Sequence, residues 1–204
     1  MSNLYGDTHR ALQREFDTVR LADRLEERLS RERLNDDDRA FVEQLDLFFL
    51  ATVDALGQPT CSYKGGDPGF VRALDPGRLA FPCYDGNGMF LSVGNLVAHA
   101  QVGLLFIDFA KPRRLRVHGR ARREPCGFGG TDWPGAQFTI VVDVERVFPN
   151  CPRYIHERPL AARSVYVPRG AEPPPVPAWK RMDWAVDVLP AGDPARQPEP
   201  KSGR

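Results

Sequence analysis

The sequence predicts an α+β fold, mainly β with helical additions, in which a six-stranded antiparallel β-barrel is flanked by helices. Two observations carry this. From Leu47 to Phe148, short β-type segments follow one another at turn-length breaks, interrupted by one segment of helical period, Gly88 to His99. Ahead of that run the chain has helical periodicity with charges between the apolar positions, and behind it the chain becomes proline-rich.

Thr8 to Leu34 reads as one helix, because Leu12, Phe16, Val19, Leu25 and Leu29 fall near one stripe while Arg and Glu fill the rest. Asn35 to Asp38 supplies capping residues for a second helix, Arg39 to Asp46, with acids near its positive end. At Leu47 the period changes. In Leu47 to Asp54 (LFFLATVD) both alternate sets of positions are mostly apolar, which predicts a strand buried on both faces. Asp54 to Gly57 is a hairpin loop into the strand Gln58 to Lys64, and Gly65 to Gly69 is a loop at the barrel rim. Asp75-Pro76-Gly77 is a tight turn between strands Phe70 to Leu74 and Arg78 to Cys83.

Tyr84 to Gly88 then turns the chain into the inserted helix, and unpaired N–H groups at such a strand-to-helix junction have the geometry that receives an anionic phosphate. Val102 to Phe109 suits a central strand. In Arg114 to Arg122, Leu115, Val117, Gly119 and Ala121 take one face, and Arg114, Arg116, His118, Arg120 and Arg122 take the other. Such a face is either solvated or laid against something anionic. Gln137 to Phe148 closes the β set after a glycine-rich loop at 127–135. Val167 to Trp179 should run extended, Trp179 to Val188 forms a last packed segment, and Pro190 to Arg204 reads as a disordered tail. The expected organisation is one domain: a helical extension (1–46), the barrel (47–150), a C-terminal extension packed on it (151–189) and the tail (190–204).

Composition excludes several classes. Lys and Arg total 28 against 27 for Asp and Glu, which gives no case for a nucleic-acid or membrane partner, although Lys111 to Arg123 holds seven basic residues and no acid. The four cysteines show neither CxxC spacing nor the density of a disulfide scaffold, so reduced thiols in a cytoplasmic protein are expected. Cys151, beside Pro152, is expected to be a buried thiol. No apolar run has signal-peptide or membrane-span length. HExxH, GxSxG and DxDxDG patterns are absent and the four histidines lie far apart, so no metal site is expected. What remains is a barrel with basic and hydroxyl residues at its breaks, which suits a phosphate-bearing cofactor that brings its own chemistry.

The blocks FFLATVDALGQPTCSYKGG, LAFPCYDGNGMFLSVGNL and VGLLFIDFAKPRRLRVHGRA, in this order, resemble the pyridoxamine 5′-phosphate oxidase-related family of FMN-binding split barrels. The resemblance covers Leu45 to about Phe148 and rests on the order and spacing of the blocks. It implies a split β-barrel, FMN as cofactor, and a homodimer with the flavin at the interface. Carried over by position, Ser62 and Lys64 lie on the strand facing the flavin. Pro82, Cys83 and Tyr84 lie where backbone groups meet ring and ribityl chain. Asn87, Gly88 and Met89 stand where the oxidase has a cationic Ser-Arg-Lys phosphate clamp, and Arg114 and Arg116 lie on the strand that reaches the cofactor. Because Asn-Gly-Met replaces the clamp, the phosphate charge falls to Lys64, Arg114 or Arg116, or to helix N–H groups. The C-terminal region does not match the oxidase's substrate-binding end. The activity implied is therefore an FMN-dependent oxidoreductase acting on an unidentified small substrate, with no residue identified as catalytic. The alternatives are a flavin-binding or sensing module without turnover and a deazaflavin- or haem-binding relative.

Overall fold

Seven strands form one antiparallel sheet in the computed structural model, which describes residues 4–151, 155–156, 164–169, 174–186, 188–190 and 192–197. They are β1 (Leu47–Val53), β2 (Pro59–Gly65), β3 (Arg72–Asp75), β4 (Arg78–Tyr84), β5 (Gln101–Asp108), β6 (Arg113–Glu124) and β7 (Ala136–Asn150). Their order in the sheet is β2-β1-β5-β6-β7-β4-β3. Three strands separate β1 from β4, yet the Phe48 and Phe81 rings meet at 5.0 Å, and Phe48 also packs on Phe106 and Phe70. The sheet therefore curls until its inner face closes on itself. That face supplies the core, with Phe48, Phe81, Phe106, Leu79, Leu104, Leu115 and Ile140 fully buried. Edges β2 and β3 stay unpaired with each other, which leaves the barrel split.

The sheet has seven strands where a six-stranded barrel was expected. The strand read over Phe70 to Leu74 is present as β3, a short edge strand that pairs only with β4 and does so through an irregular register between Ala73 and Asp75. β1 is also not buried on both faces. Phe48, Leu50 and Thr52 point into the core, whereas Ala51 and Val53 are exposed and Phe49 is half-covered against Tyr63. Hydrophobic composition alone does not say whether another layer lies over the outer face of a strand.

The N-terminal region forms two helices where one was expected: α1 (Asp7–Glu15) and α2 (Val19–Leu29). The break falls at Asp17, whose φ of 50° is left-handed and stops helical hydrogen bonding. After α2, Arg31 exchanges backbone hydrogen bonds with Val147, covering the part of β7 that β4 does not reach. The third helix, α3 (Asp36–Gln44), starts earlier than expected, with Asn35 as its N-cap. The Asn35 side chain accepts from the Asp38 N–H at 2.8 Å and Asp38 accepts from the Asn35 N–H at 3.1 Å, a reciprocal capping box. Asp38 is buried and also accepts from Arg31 Nη2 at both carboxylate oxygens, at 2.8 and 2.9 Å.

On β6 the alternation expected from sequence is present: Leu115, Val117, Gly119 and Ala121 are buried and Arg116, His118 and Arg120 are exposed. The 127–135 segment is more than a connector, since it lays Trp133 over Val141 and Ala80 on the outer side of β4 and β7. Cys151 is exposed rather than buried, and no disulfide forms among the described residues. No described helix is long and apolar enough to cross a membrane.

The described residues between 164 and 197 belong to a second compact unit. It contains a 3-10 turn (Ala178–Arg181), the short α5 (Asp183–Val186) and a second turn (Pro194–Arg196), held by a nearly buried ion pair, Lys180 Nζ to Asp193 Oδ2 at 2.9 Å. Of the stretch read as a tail, 191 and 198–204 lie outside the described residues.

Candidate functional site

Ser62 and Lys64 are two residues apart on β2 and so share a face. Their cross-strand partners are Leu50 and Phe48, both core residues, which puts Ser62 and Lys64 on the inner side of an edge strand, at the mouth of the barrel. The inserted helix α4 (Leu91–Ala98) lies across this mouth, pinned to β1 by a buried hydrogen bond from Asn95 Nδ2 to Thr52 Oγ1 at 3.0 Å. α4 is shorter than the Gly88 to His99 expected. Gly88 (φ 76°) and Phe90 (φ 49°) are both left-handed, so the chain remains a loop until Leu91. No side chain caps the start of α4, and its first N–H groups face the loop that precedes it.

The resulting groove has a volume of about 350 Å³ and is lined from β2, the end of β4, the loop and the first turn of α4. Of the ten residues singled out from sequence, Ser62, Lys64, Cys83, Tyr84, Asn87, Gly88 and Met89 line it. Asn87 organises the loop, accepting from the Met89 N–H at 3.1 Å. Pro82 is buried in β4 opposite Thr139, behind the lining. Arg114 and Arg116 do not line it within one chain. Arg114 borders a different cleft, with Arg31, Asp37, Asp38 and Asn150, and Arg116 lies on the outer face of β6 with its guanidinium 6.0 Å from the Phe148 ring.

Sequence reasoning missed Ser92, which ties the site together. Its buried hydroxyl lies 2.8 Å from Ser62 Oγ and accepts from Lys64 Nζ at 3.4 Å. Only the fold shows this, because 30 residues separate the two serines. Among the described residues no acidic side chain forms an ion pair with Lys64. Burial pushes its ammonium below the ordinary lysine pKa, against an opposing effect from Cys83. Burial also pushes the Cys83 thiol up, against the pull of Lys64 and Arg123, and raises Tyr84, with Asp67 adding to the effect. A desolvated cation without a counter-ion, beside hydroxyls and an uncapped helix start, can take up an anion.

The chain has a larger cleft, about 480 Å³, lined by Glu32, Arg33, Asp75, Arg78 and Glu145. Its charges are of mixed sign, with three carboxylates beside Arg33 and Arg78, and Arg78 and Asp75 already pair at 2.7 Å.

Residues 34–126 match the family described as pyridoxamine 5′-phosphate oxidase. No curated protein matches the chain. Among solved structures, the chain is similar to HupZ of Group A Streptococcus, with 20% identity over 57% of this chain and 93% of that one and a TM-score of 0.45. It is similar to a putative pyridoxamine 5′-phosphate oxidase from Lactobacillus delbrueckii, with 24% identity over 58% and 95% and a TM-score of 0.45. It is also similar to an FMN-binding protein from Syntrophomonas wolfei, with 12% identity over 69% and 95% and a TM-score of 0.41. The matched residues, 34–126, run from just ahead of α3 through β6 and include the inserted helix α4, and over that segment the chain is similar to the pyridoxamine 5′-phosphate oxidase family.

Proposed function

We propose that the groove holds the phosphate end of FMN and that the protein is an FMN-dependent oxidoreductase working as a homodimer. The observation that carries this reading is the Lys64 ammonium, desolvated, held by Ser92 and without a carboxylate partner among the described residues. A phosphate supplies the missing charge, and the Ser62 and Ser92 hydroxyls and the uncapped N–H groups of α4 supply donors. Tyr84 and Cys83 at the end of β4 border the path from phosphate to ring.

A volume of about 350 Å³ is near the lower end of ligand pockets, roughly 300 to 1,000 Å³. A half-site completed by a second copy accounts for that. The outer sheet face fits the same reading, since Tyr63 is 61% exposed beside Ala51 and Val53, with Arg116, His118 and Arg120 on the same side. In a dimer these arginines belong to the face that meets the other copy, which gives Arg116 a route to the cofactor that it lacks within one chain. When bound, FMN supplies hydride or electron transfer. The residues named here bind and orient it, and Lys64 places positive charge in the groove.

The test is reduction and reoxidation of the purified protein. Flavin colour that bleaches with NAD(P)H or dithionite and returns with an added acceptor or substrate supports the enzyme. Bound flavin that no physiological donor reduces supports a sensing module instead. Arg116→Ala combined with Lys64→Ala should lose flavin with little change in folding, and unchanged flavin content rules out the phosphate assignment.

A further inference from the structure

We propose that Arg123 is a second anion-recognising cation of this groove, acting at its rim while Lys64 acts inside it; the inference rests on the flavin reading above. The sequence pattern of β6 draws attention to the cations at Arg114, Arg116, Arg120 and Arg122, which share one face of the strand. Arg123 belongs to the opposite set. It continues the inward series Leu115, Val117, Gly119 and Ala121 to the point where β6 leaves the core, so its stem follows the inner face and its guanidinium emerges at the barrel mouth.

Its placement there is specific. Arg123 sits opposite Ile140 on β7, and its guanidinium lies 4.5 Å from the ring centroid of Phe138, two residues earlier on the same strand. Phe138 is the cross-strand partner of Cys83, a groove-lining residue, and its ring stacks at 6.5 Å and 28° with Phe90, another lining residue. Arg123, Phe138 and the groove wall are thus contiguous across β6, β7 and β4. Arg123 and Lys64 both act electrostatically on the Cys83 thiol, and Asp85 in the loop is the acid that opposes them. Among the described residues no carboxylate forms an ion pair with Arg123, unlike Arg122, which is bound to Glu124 and Asp143. A guanidinium held against a ring but left without an anion can accept one at no cost in existing ion pairs. This also bears on the missing Ser-Arg-Lys clamp, since the charge absent from Asn87-Gly88-Met89 is offered from β6.

The experiment is a fluorescence titration of the full chain with FMN and with riboflavin, which lacks the phosphate, for wild type, Arg123→Gln, Arg123→Lys and the exposed-helix control Arg24→Gln. The expected result is an FMN Kd raised about five- to twentyfold in Arg123→Gln, mostly restored in Arg123→Lys and unchanged in Arg24→Gln, with riboflavin affected less than about twofold. Higher salt should narrow the FMN difference. If Arg123→Gln binds FMN as wild type does, or loses riboflavin equally, the inference is overturned while the flavin reading stands. Wild type that binds neither ligand overturns both.

Discussion

The Lys64 ammonium donates to the Ser92 hydroxyl at 3.4 Å, and that hydroxyl lies 2.8 Å from Ser62, so two residues of β2 and the first turn of α4 form one polar cluster. Burial disfavours the charged form of Lys64, so the unfolded chain holds this proton more tightly than the folded one. Between the lowered folded pKa and the ordinary value of 10.5, the contribution of Lys64 to stability therefore rises with pH, and below that window the penalty is fully present. Lys64→Met should raise the melting temperature of the flavin-free protein by a few degrees while weakening FMN binding about tenfold or more. Wild-type FMN affinity should fall as pH rises through the same window and stay flat in the variant. Melts with and without FMN and a titration series across pH check all three points.

Ser92→Ala removes the acceptor that positions Lys64 and the partner of Ser62. Because these are net contributions of single hydrogen bonds, a loss of about 1 kcal/mol in stability and a three- to tenfold weaker FMN Kd are expected. Denaturant melts and fluorescence titration measure the two effects separately. A normal Kd would place Ser92 outside the binding machinery.

Much of the fold was legible in the sequence because its signals are local. The β6 alternation, the Asn35 cap and the Asp54 to Gly57 hairpin each depend on residues a few positions apart, and the Asp54 side chain does accept from the Leu56 and Gln58 N–H groups in that turn. The break at Asp17 was not legible, because the apolar stripe runs on past it. Of the candidate site, the β2 and β4 residues followed from family resemblance. Ser92 and Arg123 did not, since one meets Ser62 and Lys64 only when α4 folds across the mouth and the other is hidden in a run of arginines where strand parity decides which side each one faces. The open outer face of β1 was misjudged for a related reason, because what covers a strand depends on elements outside its own sequence.

Asp38 is the buried joint of the N-terminal region, bound at both carboxylate oxygens by Arg31 Nη2 and also accepting from the Asn35 N–H. Asp38→Ala strands the Arg31 guanidinium and removes half of the capping box, with an expected loss of about 2–4 kcal/mol. A urea midpoint that falls accordingly, with FMN affinity retained in the folded protein, separates this structural role from the site. An unchanged midpoint would mean that the joint carries no weight.

The absorption spectrum of the protein as purified bears most directly on the central claim. The account predicts two broad bands, in the blue and the near-ultraviolet, that disappear on reduction with dithionite. A Soret band, or a colourless protein whose spectrum and flavin fluorescence stay unchanged when FMN is added, would contradict it.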